Sequence, residues 1–231
     1  MTGNVRTRAF TLSVTDMGEL VFVPPLLDRF KREAPGCTLR TLQVPTGQIE
    51  DLLASAEADL ALGSIRSIPE GLFQQRLFLH SFVTIASVRN EEIGSRLTLE
   101  KFERLGHIVV SLTGSLAGVY DAELEHLGVR RRIVVMTPHF LMVPLLMERH
   151  PELIATVPLE LANVFQRLGV VRQYPPPVDI PAFALNQHWH PRFHRDPAIA
   201  WLRGLVKRTF QEYPNIRIED GASSQRNQRR R

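Results

Sequence analysis

Short apolar runs of strand length alternate with amphipathic stretches of helical period along most of this chain. The first run, 9–14, is followed by Leu20, Val23, Leu27 and Phe30, which are spaced along one helix face. The same alternation predicts strands at 9–14, 38–44, 59–63, 107–111, 133–136, 153–157 and 180–188, and later helices at 48–56, 99–104, 117–126, 140–149, 159–165 and 196–213. This order is typical of βαβ units, which build mostly parallel sheets with helices on both faces.

Prolines modify this pattern at three places. Pro24 and Pro25 predict a kink or a restart in the first helix, because proline lacks the amide N–H that a helix interior requires. The run of prolines in 174–177 predicts a loop. Asp196 followed by Pro197 predicts the start of the last helix, with an acidic N-cap and proline at the first helical position.

Two α/β series can be distinguished, and extended segments near 82–88 and 183–190 join them. Two series that share two crossing strands predict two lobes with a cleft between them. Ligands of open parallel sheets bind beyond the carboxyl ends of the strands. The candidate binding loops are therefore those that follow predicted strands, at 15–16, 44–48, 63–65, 111–115 and 137–140.

Charge and cysteine content narrow the class of protein. Four of the 28 Lys and Arg residues lie in the last eleven positions, and the remaining 24 equal the 24 Asp and Glu residues. Residues 1–220 therefore carry equal numbers of basic and acidic side chains. The basic tail is typical of a solvated, disordered segment, with nucleic-acid binding as the alternative. Cys37 is the single cysteine, and neither a secretory signal nor an apolar run of membrane-spanning length occurs. The expected compartment is the cytoplasm, with no membrane partner and no cofactor.

Four segments resemble the effector-binding domain of LysR-type transcriptional regulators. They are LSVTDMGELVFVPPLLDRFKREAPGCTLRTLQ, ADLALGSIRSIPEGLFQQRLFLHSFVTIA, TPHFLMVPLLMERHPELIATVPLELA and NQHWHPRFHRDPAIAWLRGLV. The last two are similar to the branch that contains nodulation activators and regulators of naphthalene, salicylate and nitrotoluene catabolism. The resemblance covers roughly 8–212, with the segments in the family's order.

The resemblance implies two Rossmann-like subdomains of the periplasmic-binding-protein type (type 2), joined by two crossover strands around an inter-lobe ligand cleft. It implies that the last helix returns to the first subdomain. The expected limits are 8–84 with 189–213 for subdomain I, 85–188 for subdomain II and 214–231 for the basic tail. The implied partners are a small aromatic or carboxylate effector and further copies of the chain, as a homodimer or tetramer. DNA would be bound only through an N-terminal helix-turn-helix half, which nothing here matches.

An acidic aromatic effector needs hydrogen-bond donors for its carboxylate and an apolar slot for its ring. Amides at helix starts, hydroxyls and histidines are suitable donors, and the strand-to-helix turns supply them. The resemblance places the first turn and the loop at Thr46 in the effector site, and it matches His139 and His190 to histidines of salicylate-responsive relatives. The candidate effector-binding residues are Thr15, Asp16, Gly18, Thr46, Gly47, Gln48, Ser64, Ile65, Thr113, Gly114, His139, Phe140, Trp189 and His190.

Each candidate has a structural alternative. Thr15, Asp16 and His139 also suit helix caps, and the glycines suit turns. Phe140 and Trp189 also suit core or hinge packing. A carboxylate at Asp16 would oppose an anionic ligand unless it turns toward the amino-terminal dipole of a helix. His188, His190 and His194 could form a metal site, although Pro191 breaks the local geometry.

Catalytic motifs are absent from the sequence. Gly114-Ser115 does not complete a nucleophile elbow, and neither a P-loop nor a strand followed by GxGxxG occurs. We therefore expect that the protein is not an enzyme. A solute-binding protein of a transport system and an enzyme of unidentified type stay open as alternatives, because the architecture is shared by many functions.

Overall fold

The computed structural model describes residues 7–64, 71–112 and 120–211. The strands are β1 (Ala9–Ser13), β2 (Thr38–Leu42), β3 (Leu60–Gly63), β4 (Phe73–His80), β5 (Phe82–Ser87), β6 (Gly106–Val110), β7 (Arg132–Thr137), β8 (Ile154–Pro158), β9 (Val171–Tyr174) and β10 (Phe183–Trp189). The helices are α1 (Asp16–Glu33), α2 (Ile49–Ala54), α3 (Leu99–Arg104), α4 (Asp121–His126), α5 (Met142–Arg149), α6 (Leu159–Arg167) and α7 (Pro197–Phe210), with 3-10 turns at Thr46–Gln48 and Pro191–Phe193. Each predicted strand and helix that falls fully within these ranges has a counterpart.

The strands form two separate five-stranded sheets. The first has the order β2-β1-β3-β10-β4, and the second has the order β7-β6-β8-β5-β9. In the first sheet β1 pairs in parallel with β2 and β3, whereas β10 runs antiparallel to β3 and β4. In the second sheet β6 pairs in parallel with β7 and β8, whereas β5 runs antiparallel to β8 and β9. We call the halves built on these sheets lobe I and lobe II.

The antiparallel strand of each lobe comes from a crossing of the chain. The chain leaves lobe I between β4 and β5, at Ser81, and returns between β9 and β10. Strand β10 covers 183–189, so the last part of the predicted subdomain II, 183–188, is hydrogen-bonded to lobe I strands. The sheets are therefore mixed rather than mostly parallel, and the two expected crossings lie close to their predicted positions.

Two local predictions are wrong. Helix α1 runs without a break through Pro24 and Pro25, where a restart was an expected outcome. Its buried stripe includes Phe22, Leu26 and Phe30, and Pro24 is exposed, so packing holds the helix while the missing N–H lies on the solvent side. Tyr174 ends strand β9 rather than lying in a loop. Strand β9 is the edge strand of its sheet, where a proline can follow directly.

One hydrophobic core extends through both lobes. It includes Phe10 and Leu60 of lobe I together with Ile85 and Val157 of lobe II, all fully buried. Smaller clusters lie in lobe II around Phe102 and beneath α2 in lobe I. The shared core means that the lobes are packed against each other and not merely tethered. Among the helices in the described ranges, none has the combination of length and apolarity needed to span a bilayer.

A buried polar pair joins the lobes at the first crossing. Nδ1 of His80, the last residue of β4, lies 2.5 Å from Oε2 of Glu160 in the first turn of α6. The His80 ring is 1% exposed and is surrounded by Phe22, Phe78 and Phe183. Charge-assisted hydrogen bonds of this kind have a preferred geometry, so the pair fixes where α6 sits against lobe I.

His107 in β6 makes stability depend on pH. Its Nε2 lies 2.6 Å from the carbonyl oxygen of Phe102, so Nε2–H donates to that carbonyl. Burial lowers the pKa of His107 to about 4, and the charges of Arg131 and Arg132 act in the same direction. The unfolded chain therefore takes up a proton near pH 6.5 that the folded chain does not accept until about pH 4.

We expect this histidine to remove about 3 kcal/mol of folding free energy as the pH falls from about 6.5 to about 4. Urea denaturation across this range measures the loss. His107→Gln keeps an N–H donor but does not titrate, so its free energy of unfolding should fall less steeply over the same range. Equal slopes for the two proteins would contradict the assignment.

Candidate functional site

A cleft of about 330 Å³ lies where the strands of lobe I end toward lobe II. In lobe I it is bounded by the carboxyl ends of β1, β2 and β3 and by the start of α2. In lobe II it is bounded by Leu112, which lies two residues after the end of β6. This is the side of a parallel sheet at which ligands bind. The lining residues are Ser13, Val14, Thr15, Gln43, Val44, Pro45, Thr46, Ile49, Ala61, Leu62, Gly63, Ser64 and Leu112.

The lining combines hydroxyl groups with apolar side chains. Four hydroxyls, those of Ser13, Thr15, Thr46 and Ser64, can each donate or accept a hydrogen bond. The remaining wall consists of the Gln43 side-chain amide and apolar groups, including a leucine from lobe II. The lining set contains no ionisable side chain from the described part of the chain. Chemically, the cleft suits a small, partly apolar molecule whose polar groups bind to neutral donors.

Helix α1 begins at the edge of this cleft. Thr15 is its N-cap, and the Thr15 Oγ1 accepts from the Gly18 amide at 3.2 Å. Asp16 is buried, and its Oδ1 accepts from the Met17 amide at 2.8 Å. Its Oδ2 accepts from the amide of Leu141 in lobe II at 3.0 Å. The Asp16 carboxylate thus accepts hydrogen bonds from amides of both lobes, and Asp16 is not among the residues that line the cleft.

The candidate residues of the predicted strand-to-helix turns differ in their position relative to the cleft. Thr15, Thr46 and Ser64 line the cleft together, although they follow three different strands. Gly18 packs closely against the residue that follows β1, since a Cβ there would lie 3.0 Å from the Cβ of Val14. Gly47 and Gln48 are exposed in the 3-10 turn and lie outside the lining. Ile65, Thr113 and Gly114 fall outside the described residues.

His139 and Phe140 lie in the loop between β7 and α5. His139 is exposed, and its amide donates to Thr137 Oγ1 at 3.2 Å. Phe140 is buried in the shared core. The next residue, Leu141, makes the hydrogen bond to Asp16, so this loop faces the start of α1 across the lobe boundary. It contributes an inter-lobe contact, and its side chains are not among those that line the cleft.

Trp189 and His190 lie at the other end of lobe I. The register of β10 on β3 pairs Asn186 with Gly63, at the cleft, and His188 with Ala61. Residues 189 and 190 therefore continue away from the cleft along β10. His190 caps the 3-10 turn that follows β10, where its Nδ1 accepts from the Arg192 amide at 3.2 Å. The structure does not bring these two residues to the other candidates.

A larger groove of about 490 Å³ lies on the outer surface of lobe I, between α1 and α7. It is lined by Pro25, Asp28, Arg29, Lys31, Arg32 and Thr209. The groove is open and mostly charged, and it lies on the helices rather than at strand ends. The smaller cleft is the better candidate, because its lining is convergent and includes both lobes.

Several residues that line the cleft were not among the predicted candidates. Ser13 and Val14 precede the predicted turn, and Gln43 directly follows β2. Leu112 lies in a predicted loop but was not singled out as a contact. Small residues at strand ends, such as Ala61 and Gly63, were the available signal, because a ligand can approach the backbone closely there.

Comparison with known proteins gives a consistent family. The family described as LysR substrate binding domain matches residues 3–211. The HTH-type transcriptional activator NagR of Ralstonia sp. is 35% identical over 207 residues, which cover 89% of this chain and 68% of the activator. The activator NahR of Pseudomonas putida is 34% identical over 205 residues, with the same two coverages.

A solved structure supports the fold. The regulatory domain of MexT, a transcriptional activator of Pseudomonas aeruginosa, superposes with a TM-score of 0.78 at 29% identity. The match covers 89% of this chain and 99% of that domain. The two-lobed, periplasmic-binding-protein-like architecture expected from the resemblance is confirmed.

Proposed function

The chain belongs to the family of LysR substrate-binding domains, and we propose that the cleft between its lobes binds a small aromatic or carboxylate effector. The observation that carries this proposal is the convergence of Thr15, Thr46 and Ser64 with apolar walls at the lobe boundary. A volume of about 330 Å³ suits a molecule with one ring, at the lower end of ligand pockets. The hydroxyls would bind the polar groups of the effector, and the aliphatic walls would contact its ring.

Effector binding would act through the lobe boundary. The cleft has walls from both lobes, and Asp16 and the His80–Glu160 pair also link them. An effector with different affinity for two lobe arrangements shifts their populations. In the whole regulator this shift would reach an N-terminal helix-turn-helix domain, through which DNA would be bound. The chain spans about two thirds of the length of the activators it matches, so this step concerns the longer protein.

We propose that the domain assembles as a homodimer or tetramer. Strand β7 is an edge strand of lobe II, and Ile133 and Val134 on it are exposed. Leu141, Met142 and Leu145 at the start of α5 are exposed as well. Exposed apolar side chains next to an unpaired strand edge are typical of an interaction surface.

The remaining proposals concern organisation and chemistry. Subdomain I would comprise 8–84 and 189–213, extended to include β10, and subdomain II would comprise the intervening chain. The basic segment 214–231 lies outside the described residues. The domain would work in the cytoplasm, without a cofactor, as a receptor and not as an enzyme. The named relatives are transcriptional activators, which favours the receptor over a transport protein or an enzyme.

A thermal-shift panel of benzoate, salicylate, phenol and cyclohexanecarboxylate tests the proposal. A ligand that binds only the folded state adds about 2.7 kcal/mol of stability at a hundredfold excess over its Kd. We expect at least one aromatic acid to raise Tm and to be recovered unchanged by mass spectrometry. Chemical conversion of the ligand would overturn the proposal that the domain is a receptor. A panel in which no compound shifts Tm would count against this effector class.

Thr46→Val should then weaken binding of the active acid by about threefold to tenfold in calorimetry, because one neutral hydrogen bond is lost. Thr46 is the suitable position because it is exposed at the cleft, whereas Thr15 also caps α1. His190→Ala is the matched control and should keep the affinity, since His190 lies at the far end of lobe I. If His190→Ala weakened binding more than Thr46→Val did, His190 would again be a candidate for the effector site.

A further inference from the structure

A second surface with recognition chemistry lies on lobe I at the end opposite the cleft. We call it the arginine–histidine face and define it by Phe73, His190, Arg192, His194, Arg195 and Arg203. It is built from the start of β4, the 3-10 turn after β10 and one position of α7. The sequence motif HWHPRFH belongs to it, and the effector cleft does not use this motif.

The centre of this face has a fixed hydrogen-bond pattern. Nδ1 of His194 accepts from Trp189 Nε1 at 3.2 Å and lies 3.0 Å from Arg203 Nη1, which can only donate. Because both contacts converge on Nδ1, the proton of neutral His194 is on Nε2. The His194 ring stacks on Trp189 at 6.0 Å, and the Arg203 guanidinium lies 4.3 Å from the centroid of the Trp189 ring. These contacts hold His194 and Arg203 in place before any partner binds.

The polar groups of the face are donors. Nδ1 of His190 also accepts, from the Arg192 amide, so its proton is on Nε2 as well. Arg192 and Arg195 are exposed, and in the part of the chain that the structure describes neither forms an ion pair with a carboxylate. Their charge is thus available to a partner. A surface of donors and cations is complementary to carboxylates.

In the part of the chain that the structure describes, the acidic groups near this face are already paired. Asp196 is the only acidic residue in 188–211. Its Oδ1 accepts from the amides of Ala198 and Ile199 as the cap of α7, and Arg8 lies 3.9 Å away. Arg8 in turn pairs with Asp59 at 2.5 Å. These two carboxylates are therefore engaged, so among the described residues none with a free negative charge opposes Arg192 and Arg195 within 188–211.

An apolar ring stands among these cations. Phe73 is 43% exposed, and its ring packs edge-to-face on His194 at 5.0 Å and on Trp189 at 6.0 Å. Protein interfaces are enriched in aromatic residues and arginine, which act as anchors at their centres. Contacts to the phosphates of a DNA duplex need cations but no exposed ring. The ring therefore favours a protein partner.

We propose that the arginine–histidine face docks an acidic segment of a partner protein that also carries aromatic or aliphatic side chains. Carboxylates of the segment would bind Arg192, Arg195 and the Nε2–H groups of the two histidines. An apolar side chain of the segment would pack on Phe73. This surface is separate from the effector cleft, so docking does not depend on the effector's identity.

Fluorescence anisotropy tests the docking with a labelled peptide in which Asp and Glu residues flank two phenylalanines. The assay background is the full chain with Arg226, Arg229, Arg230 and Arg231 changed to Gln, so that the tail does not bind the peptide. We expect Arg192→Glu with Arg195→Glu to weaken binding by about tenfold or more. We expect Phe73→Ala, which leaves the charge unchanged, to weaken it by about fivefold.

Three controls decide the outcome. Arg167→Glu with Arg172→Glu changes two exposed arginines of lobe II and should leave affinity within about twofold. A peptide with serine in place of phenylalanine should bind at least fivefold more weakly (about 1 kcal/mol). Equal loss in the lobe II variant, or equal binding of the two peptides, would reduce the effect to net charge and overturn the proposal. Binding of duplex DNA, but not of peptide, with the same dependence on Arg192 and Arg195 would assign the face to nucleic acid instead.

Discussion

Gly63→Phe is expected to abolish effector binding while leaving the domain folded. Gly63 ends β3 and lines the cleft, and a Cβ placed on it meets no described atom within 4 Å. A phenyl ring at this position therefore extends into the cleft of about 330 Å³ and takes the space of a one-ring ligand. We expect the affinity for the active aromatic acid to fall at least a hundredfold, which corresponds to about 2.7 kcal/mol.

Calorimetric titration with that acid measures the loss, and thermal unfolding without ligand measures any structural cost. Gln166→Phe adds the same ring at an exposed position of α6 and should leave affinity unchanged. Full binding by Gly63→Phe would remove the cleft from consideration as the effector site. A large drop in Tm for this variant without ligand would instead show that the space is needed for folding.

Asp121→Asn is expected to destabilise lobe II by about 3–5 kcal/mol, because it leaves the buried cation of Arg131 without its counter-ion. The Arg131 side chain is 3% exposed and forms an ion pair with Asp121 of α4. Its Nη1 donates to the Tyr120 hydroxyl at 2.8 Å, and its guanidinium lies 4.8 Å from the centroid of the Tyr120 ring. Burial raises the pKa of Tyr120, so this hydroxyl stays neutral and cannot replace the carboxylate.

Urea denaturation at neutral pH measures this change. The matched control is Glu92→Gln, which breaks the exposed pair of Arg104 and Glu92 and should cost no more than about 1 kcal/mol. Joint replacement by apolar residues, Asp121→Leu with Arg131→Met, should recover much of the loss, since no charge is then buried. Similar costs for the Asp121 and Glu92 variants would contradict the role of burial.

Much of the fold could be predicted because the signals were local. Asp196 and Pro197 predicted the start of α7, and the Asp196 side chain caps that helix as expected. The boundaries of α3 agree with the prediction residue for residue. Predictions failed where contacts between distant residues decide the local structure. Strand β9 exists because β5 offers it a partner, and α1 continues through two prolines because its buried stripe is packed.

For the candidate site, too, some residues were predicted from local signals and others depended on distant contacts. Thr15, Thr46 and Ser64 were predicted because each follows an apolar run, and strand ends meet at one edge of a parallel sheet. His190 was grouped with them by resemblance, and Trp189 was grouped with them as a possible apolar surface for a ring. The antiparallel direction of β10 sends these residues to the opposite end of lobe I, and strand direction depends on pairing.

By itself, the sequence determined the alternation of strands and helices, the helix caps and the turns that flank a cleft, because hydrophobic period and capping act over a few neighbouring residues. The tertiary structure decided which turns meet, where the chain crosses between lobes and which charges become buried. It placed Asp16 against the amide of Leu141 and His80 against Glu160, each between residues far apart in the chain. Such contacts depend on the packing of whole elements, which local sequence patterns do not encode.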